Sequence, residues 1–434
     1  MCIERNLFQR NYSKILKILK IANETPYYNG VFNEIALNVH GATYEEFSRI
    51  PIMDKASYRT HCFDMISSSE IKNFDKAQYE NIRNNTEKRK YLEQFGIKLR
   101  ITSGSTGQPL EVLKSENDYN RDYFNLNLYR RKVTPYDFSG KYMWVWPTNP
   151  IMLEYIGLKI ESEYRVKDKF GFLYYLHEFS EKSMFDLYNA LIKERCEWIT
   201  ASPTVMTKLG QYIKVHKLTP PKLLYIECHS EKLYEWQREI IEDVFGLLPV
   251  SIYSSNEVQF IGAECQCGYL HTFNSVFVEF INHSNRANEI VVSSLINFDI
   301  PILRYKLGDC GDWANEKCSH NRYPAFKIEG HRTNDLLKTI SGNLIEPFVI
   351  SDAIYLLSKE SEKSIAQYQV KQRSMNEFNF YFNDIDFNNL SRNAKMFLEN
   401  YLSKLLGYET TVEILCLSQL DSIVKKHKYF EVVF

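Results

Sequence analysis

The stretch that most constrains this chain is Leu99–Val112, LRITSGSTGQPLEV. Leu99-Arg100-Ile101 alternates apolar and polar residues, as a half-buried strand does. Six small residues follow: Thr102, Ser103, Gly104, Ser105, Thr106 and Gly107. A second apolar run, Leu110-Glu111-Val112-Leu113, comes after Pro109. The pattern reads as strand, phosphate-sized loop, strand. The two glycines let backbone N–H groups turn inward where a Cβ would block them. The hydroxyls add donors without bulk, and successive N–H groups in such a turn form an anion-binding concavity. It is not a Walker A loop, because no Gly-Lys-Ser/Thr follows and the next element is a strand, not a helix. The plain alternative is a polar hairpin turn. Six small residues between two apolar runs favour the anion cradle.

A chain of 434 residues is long enough for two or three domains. Its formal net charge of -1 gives no bulk attraction to nucleic acid or to acidic membranes. No apolar run reaches the length of a membrane span, and the charged N-terminus MCIERNLFQRN does not read as a signal peptide. The nine cysteines are an odd number without a secretion signal. They read as reduced thiols in a cytoplasmic protein, with metal binding open to any cluster. Aromatic residues make up 14%, which supplies a large core and spare rings for a pocket.

Taken in order, Ser13–Ala22 places Ile and Leu at helical spacing with lysines between, a surface helix with one buried face. A membrane-lying helix is the weaker reading, as the segment is short and lacks an aromatic anchor. Thr25-Pro26 breaks it. Phe47–Lys55 is expected to be extended, and Tyr79–Gln94 a charged, solvated helix. After the loop, Asp118–Lys132 reads as a helix. Strands at Lys141–Pro147, Trp198–Ala201, Lys222–Ile226 and Leu248–Tyr253 then alternate with helices at Phe185–Lys193, from Pro203, and at Leu233–Phe245. Such alternation argues an α/β architecture. Phe273–Tyr305 is rich in β signals. From residue 335 a smaller mixed pattern restarts: strands at Leu336–Ile340, Tyr368–Phe382 and Thr411–Leu415, with helices at Phe348–Ser358 and Ala394–Leu406. About a hundred residues make a small second domain.

Four further stretches carry chemistry: Tyr253-Ser254-Ser255-Asn256-Glu257, Arg304-Tyr305-Lys306-Leu307-Gly308-Asp309, Gly330-His331-Arg332-Thr333-Asn334-Asp335, and Gly342–Pro347. Glu257 follows a strand, at the end where α/β ligand sites form. Together with TSGSTGQP their order resembles the adenylate-forming (acyl- and aryl-CoA synthetase) superfamily, and within it the phenylacetate-CoA ligase and CapK-like branch. The resemblance runs from about Pro26 to the C-terminus. It includes RIPIMDK at Arg49–Lys55, a Tyr-Gly-x-x-Glu motif matched in part by Tyr253 to Glu257, and an R-Y-x-x-G-D motif matched by Arg304, Tyr305, Gly308 and Asp309. A G-R-x-x-D motif is matched, with one inserted residue, by Gly330, Arg332 and Asp335.

The resemblance implies a large N-terminal domain of mixed sheets and helices, residues 1–334, which binds ATP and the acid. It also implies a small mobile α+β C-terminal domain, 335–434, with Asp335 as hinge. Thr102, Ser103, Gly104, Ser105, Thr106 and Gly107 would hold the ATP phosphates. Ser230, Glu231, Tyr253 and Ser254 would border adenine, with Tyr253 stacking on it. Asp309 would accept the ribose hydroxyls, Arg332 would contact ribose or phosphate, and Glu257 would hold Mg2+. Trp146, Ala201 and Ser254 would line the acid pocket. The implied reaction is ATP-dependent activation of a small-molecule carboxylic acid to an acyl- or aryl-adenylate, then a thioester, foremost with CoA. The alternatives are delivery to the phosphopantetheine thiol of an acyl carrier protein or to an amine, and a non-catalytic nucleotide-binding member. Ser254 stands where the family has glycine, and His229-Ser230-Glu231-Lys232 lacks the family's glycine. The C-terminal lysine falls among Lys425, Lys426 and Lys428, of which Lys428 fits best.

Cys265-Gln-Cys267-Gly268-Tyr-Leu-His271 and Cys318-Ser-His320 suit a four-ligand structural zinc site. Relatives carry a C-x-x-G-x-x-H segment and a later C-x-C-G, with His320 in place of the second cysteine of that pair. The expected ligands are Cys265, His271, Cys318 and His320, with Cys267 as substitute. The plain alternative is unrelated buried thiols and surface histidines. Cys62, Cys196, Cys228 and Cys416 sit in apolar runs and read as core; no partnered nucleophilic cysteine is evident.

Overall fold

A computed structural model describes residues 3–67, 71, 73–102, 110–147, 164–176, 181–265, 268–283, 286–314, 318, 323–328, 337–340, 344–345, 350, 353–354, 357, 365, 368–382, 387–388, 390, 393–416 and 430–433. The chain forms two compact units. One comprises Met1–Ser139, Pro150–Ser162 and Val250–Lys327; the other comprises Gly140–Asn149, Glu163–Pro249 and Ile328–Phe434.

In the first unit, the helix Tyr12–Ala22 buries Ile15, Ile18, Leu19 and Ala22, the stripe its spacing demands. Thr25 does more than break it. Its hydroxyl accepts the Tyr28 N–H and Pro26 fills the first turn, so a new helix, Pro26–Glu34, starts there. The expected extended segment is realised between two short helices. Tyr44–Ser48 is closed by the Thr43/Glu46 capping box, and Lys55–His61 is capped by Asp54. Between them Met53 bridges in parallel to Tyr305. The expected solvated helix over Tyr79–Gln94 is instead two helices, Lys76–Asn81 and Asn85–Gln94. Tyr79, Tyr91 and Leu92 are buried in them, and Tyr79 and Tyr91 pack with Phe63, Phe74 and Phe95. Charge density along the chain concealed an aromatic face that only packing reveals.

Strands β1 (Ile97–Thr102) and β2 (Leu110–Ser115) pair antiparallel, from Ile97 opposite Ser115 to Thr102 opposite Leu110. The two flanking strands are therefore present and paired; residues 103–109 lie outside the described residues. Ser115 ends β2 and caps the helix Glu116–Val133 through the Asp118 N–H. Beneath this junction lies a buried ionic cluster. Lys114 Nζ stands 2.7 Å from Asp122 Oδ2. Asp118 accepts the N–H groups of Phe298 and Ile300 at 2.8 and 3.1 Å, and Arg121 joins Asp118 to Asp299.

In the second unit, β3 (Tyr142–Pro147), β4 (Tyr164–Val166), β5 (Gly171–Leu176), β6 (Trp198–Ala201) and β7 (Tyr225–His229) follow the order β4-β5-β3-β6-β7. All neighbours are parallel except β4 against β5. The helices Glu181–Glu194 and Pro203–Val215 make the crossovers that parallel pairing requires. One sheet face supplies Met143, Val145, Ile199, Ala201, Ile226 and Cys228 to an apolar core closed by Leu187, Leu191, Val205 and Leu209.

The first unit resumes with β8 (Val250–Ser255), β9 (Gln259–Glu264), β10 (Leu270–Thr272), β11 (Val276–His283), β12 (Arg286–Ser294), β13 (Tyr305–Trp313) and β14 (Ala325–Ile328), in the order β8-β9-β10-β14-β13-β12-β11. The β-rich expectation for 273–305 is met by β11, β12 and the start of β13.

The second unit also holds the C-terminal strands: β15 (Leu337–Lys338), β16 (Leu344–Ile345), β17 (Tyr368–Gln372), β18 (Glu377–Phe382), β19 (Thr411–Cys416) and β20 (Phe430–Val432). The last four form a sheet ordered β19-β18-β17-β20, with only β17 and β18 antiparallel. The helix Ala394–Leu406 stops at Gly407 in the left-handed region. Ile350, Ala353, Ile354 and Leu357, buried at helical spacing, join Leu337, Val370, Phe380, Leu398 and Phe430 in a core whose members all lie at or after Leu337. The architecture is mixed α/β, as expected. Among the described residues no helix is long and apolar enough to cross a membrane.

Candidate active site

Of the expected nucleotide residues of the first unit, Tyr253 and Ser254 lie on β8, Glu257 just after it and Asp309 within β13. Tyr253 lies on β8, where pairing with β9 shifts register between Tyr253 and Ser254. Such a bulge re-aims the side chains beside it. The Tyr253 hydroxyl donates to Asp309 Oδ2 at 2.7 Å. Gly308, at φ 84°, gives the backbone just before Asp309 a conformation open to glycine and costly for other residues. Gly262, opposite Tyr253, leaves space that a Cβ would lose, since that atom would fall 2.8 Å from the Phe326 ring. The Phe326 ring in turn lies 6.0 Å from that of Tyr253.

Glu257 sits in the turn after β8 and is buried. Its Oε1 accepts a hydrogen bond from the Tyr305 hydroxyl at 2.7 Å. Among the described residues its carboxylate has no other hydrogen bond. The sequence motif gave Tyr305 no task; no local signal marks a partner 48 residues away.

Arg304 of the same motif does not face this group. It holds φ 47° and is buried. Its side chain binds Glu279 at 3.0 Å and the carbonyls of Ser48 and Ile50. The N–H of Met53 reaches the Arg304 carbonyl at 2.9 Å, and the Lys306 N–H reaches Met53 O at 2.8 Å. The RIPIMDK segment therefore serves to lock the strand that carries Tyr305 and Asp309.

In the second unit, Ser230 follows β7 at φ 72°. This is the left-handed backbone that glycine adopts freely and serine does not. Serine stands here in a conformation that glycine favours. Ser230 Oγ and His229 Nδ1 are 2.7 Å apart. Glu231 Oε2 accepts the hydroxyl of Thr204 at 2.5 Å and its N–H at 3.3 Å. Ser202 caps that same helix through the Val205 N–H, so the Glu231 carboxylate faces the positive end of the helix. Of the acid-pocket expectations, Ser254 is half-buried at the bulge and Trp146 is 37% exposed. Ala201 lies wholly within the apolar core. On that strand Thr200 faces the other way and donates to Glu227 at 3.1 Å.

The zinc expectation gains geometry. Cys265, His271 and Cys318 bring their ligand atoms within 4.8 Å of one another, and the two sulfurs are 3.5 Å apart. A zinc tetrahedron with bonds of about 2.3 Å has edges of about 3.8 Å. His271 Nδ1 donates to the Tyr323 carbonyl at 2.7 Å, which leaves Nε2 as the ring nitrogen open to a ligand. That nitrogen is buried without a hydrogen-bond partner among the described residues. A soft donor set with an orphaned buried nitrogen fits a zinc ion. Cys62, Cys196 and Cys228 are buried as expected, and Cys416 is half-buried. Burial pushes the Cys62 thiol up to about 11 and Cys196 up to about 12, far from thiolate chemistry. Ser103, Gly104, Ser105, Thr106, Gly107, Cys267, His320, Arg332, Asp335, Lys425, Lys426 and Lys428 lie outside the described residues, as does the side chain of Thr102.

The fold is that of the adenylate-forming ligases. The chain is similar to 2-hydroxyisobutyryl-CoA ligase in the postadenylation state in complex with R3-HIB-AMP, with TM-score 0.66 and 14% identity over 98% of this chain and 89% of that one. It is also similar to the anthranilate CoA ligase AuaEII in complex with anthranoyl-AMP, with TM-score 0.51 and 11% identity over 76% and 66%. In sequence it is 24% identical over 364 residues to Protein CapK of Staphylococcus aureus, covering 76% of this chain and 74% of that protein. No family model matches the sequence.

Proposed function

We propose that this chain is an ATP-dependent, AMP-forming acid–thiol ligase of the phenylacetate-CoA ligase and CapK-like kind. The observation that carries the reading is the pairing of Tyr253 with Asp309 and of Tyr305 with Glu257. Two carboxylates of different motifs are each oriented by one phenol, on a fold whose solved examples include ligases bound to acyl-adenylates.

In this reading Asp309 Oδ1 takes the ribose hydroxyls while Tyr253 holds Oδ2, and the Tyr253 ring lies against adenine. Glu257, a buried hard oxygen donor, would hold Mg2+, which would supply positive charge to screen the ATP phosphates. The loop Thr102–Gly107 cradles those phosphates with Arg332. Ser230 and Glu231 border adenine, while Trp146 and Ser254 contact the acid. The carboxylate attacks the α-phosphate, pyrophosphate leaves, and the acyl-adenylate forms. Lys428 offsets the charge that builds on the oxygens during this step. The small domain, 335–434, then turns about Asp335, and a thiol attacks the activated carbonyl. A core built wholly from residues at or after Leu337 supports that boundary. Cys265, His271 and Cys318, completed by His320 or Cys267, hold a structural zinc.

Pyrophosphate exchange with a panel of carboxylic acids tests the reading. Acid-dependent exchange is the expected result. Adding CoA, a phosphopantetheinylated carrier protein or an amine to the responding acid then identifies the acceptor. Nucleotide binding without exchange for any acid would leave a non-catalytic nucleotide-binding protein.

A further inference from the structure

Tyr305 is held more tightly than a packing residue needs. Its ring is fully buried, and Met53 bonds to the residues on either side of it. The edge of Tyr58 meets its ring at 6.0 Å and 81°. Tyr58 in turn accepts the Leu113 N–H at 3.1 Å, on the strand that leaves the hydroxyl-rich loop. An aromatic pair thus joins that strand to the carboxylate of Glu257.

A carboxylate has room for about four hydrogen bonds, and a buried one with a single neutral donor is costly unless a cation completes it. Among the described residues Glu257 has only Tyr305. Mg2+ demands near-octahedral geometry and takes few protein carboxylates. Groups that hydrogen-bond a metal's ligands set their orientation.

We propose that Tyr305 is a positioning residue for Glu257: its hydroxyl fixes Oε1, so that Oε2 alone is presented to the divalent cation that accompanies ATP. The proposal rests on the ATP-dependent reading above. The Tyr305–Tyr58 contact keeps that orientation in register with the strand leaving the loop.

The test is calorimetric titration of ATP into the full chain, with Mg2+ and with EDTA, for the wild type, Tyr305→Phe, Glu257→Gln and the double variant. Tyr305→Phe keeps the ring and its contact with Tyr58 but removes the hydroxyl. The Mg2+ concentration that half-saturates ATP binding is expected to rise roughly 10–100-fold, with binding in EDTA unchanged. In the Glu257→Gln background Tyr305→Phe should add no further loss, because the two act through one contact. An unchanged Mg2+ requirement in folded Tyr305→Phe overturns the proposal, as does an additive loss in the double variant. If Tyr305→Phe alone melts early, recovery of the fold in the double variant supports the coupling and failure to recover overturns it. A wild type that binds ATP equally with Mg2+ and EDTA, or not at all, sinks the functional reading and this proposal with it. Failure of the proposal alone appears only in the variants.

Discussion

The hydroxyl of Tyr253 and Oδ2 of Asp309, 56 residues apart in sequence, are joined by a hydrogen bond of 2.7 Å. One oxygen of the carboxylate thereby carries a donor before any ligand arrives. A hydrogen bond to a charged acceptor contributes about 1.5–3 kcal/mol. Tyr253→Phe keeps the ring and frees the carboxylate, so the KM for ATP should rise roughly tenfold with kcat little changed. Asp309→Ala should raise it at least as far. Steady-state kinetics with ATP varied checks both; an Asp309→Ala protein with unchanged ATP dependence removes the ribose role.

The Cys265, His271 and Cys318 cluster predicts about one zinc per chain in protein prepared without chelator. Cys318→Ser should lose the metal and lower the melting temperature, while activity per folded molecule changes less. Elemental analysis of the two proteins decides it, and a wild type free of zinc ends the idea.

Ser230 bears the left-handed backbone, at φ 72°. That conformation costs a residue with a Cβ roughly 1–2 kcal/mol. Ser230→Gly should stay within about 1 kcal/mol of wild type in denaturant melts, the relief of strain offsetting lost entropy and the contact with His229. Ser230→Val should destabilise by about 1–2 kcal/mol, because a β-branched side chain tolerates positive φ least.

Burial pushes the Asp122 carboxyl up to about 6, with Lys114 working against it. A carboxyl raised above its unfolded value stabilises the fold when protonated, and that stability is lost as pH rises toward 6 and beyond. Asp122→Asn cannot titrate; it keeps a neutral group beside Lys114 at every pH, so any fixed cost of the swap is the same at the two pH values. The gap between wild type and Asp122→Asn should narrow by on the order of 1 kcal/mol from pH 5 to pH 7. Urea melts at the two pH values measure it. A gap that widens with pH reverses the assignment.

Much of the fold is local enough to be legible from residue order. Ser115 followed by the helical run to Val133, Ser202 with Pro203, and Gly246 and Gly407 after apolar runs all mark element ends through contacts within a few residues. The alternation on either side of residues 103–109 gave the paired strands β1 and β2 for the same reason. Where reading failed, local cues conflicted with distant ones. The charges of residues 79–94 pointed outward, but the rings of Tyr79 and Tyr91 found Phe63, Phe74 and Phe95 and turned that face inward. Thr25-Pro26 reads equally as a stop and a start; the side-chain bond to the Tyr28 N–H made it a start.

The sequence by itself determined which residue types stand where chemistry is needed: Glu257 and Asp309 after strand or glycine turn, and two Cys/His groups of ligand spacing. Tertiary structure decided what each is bonded to. Tyr305 reaches Glu257, Tyr253 reaches Asp309, and Cys318 reaches Cys265 across 53 residues. It also turned Thr200 away from the core that holds Ala201. Spacing sets the character of a side chain and its face on one element. Strand order, register and bulges set which oxygen, nitrogen or sulfur meets it from another element, and no short stretch of the chain contains that information.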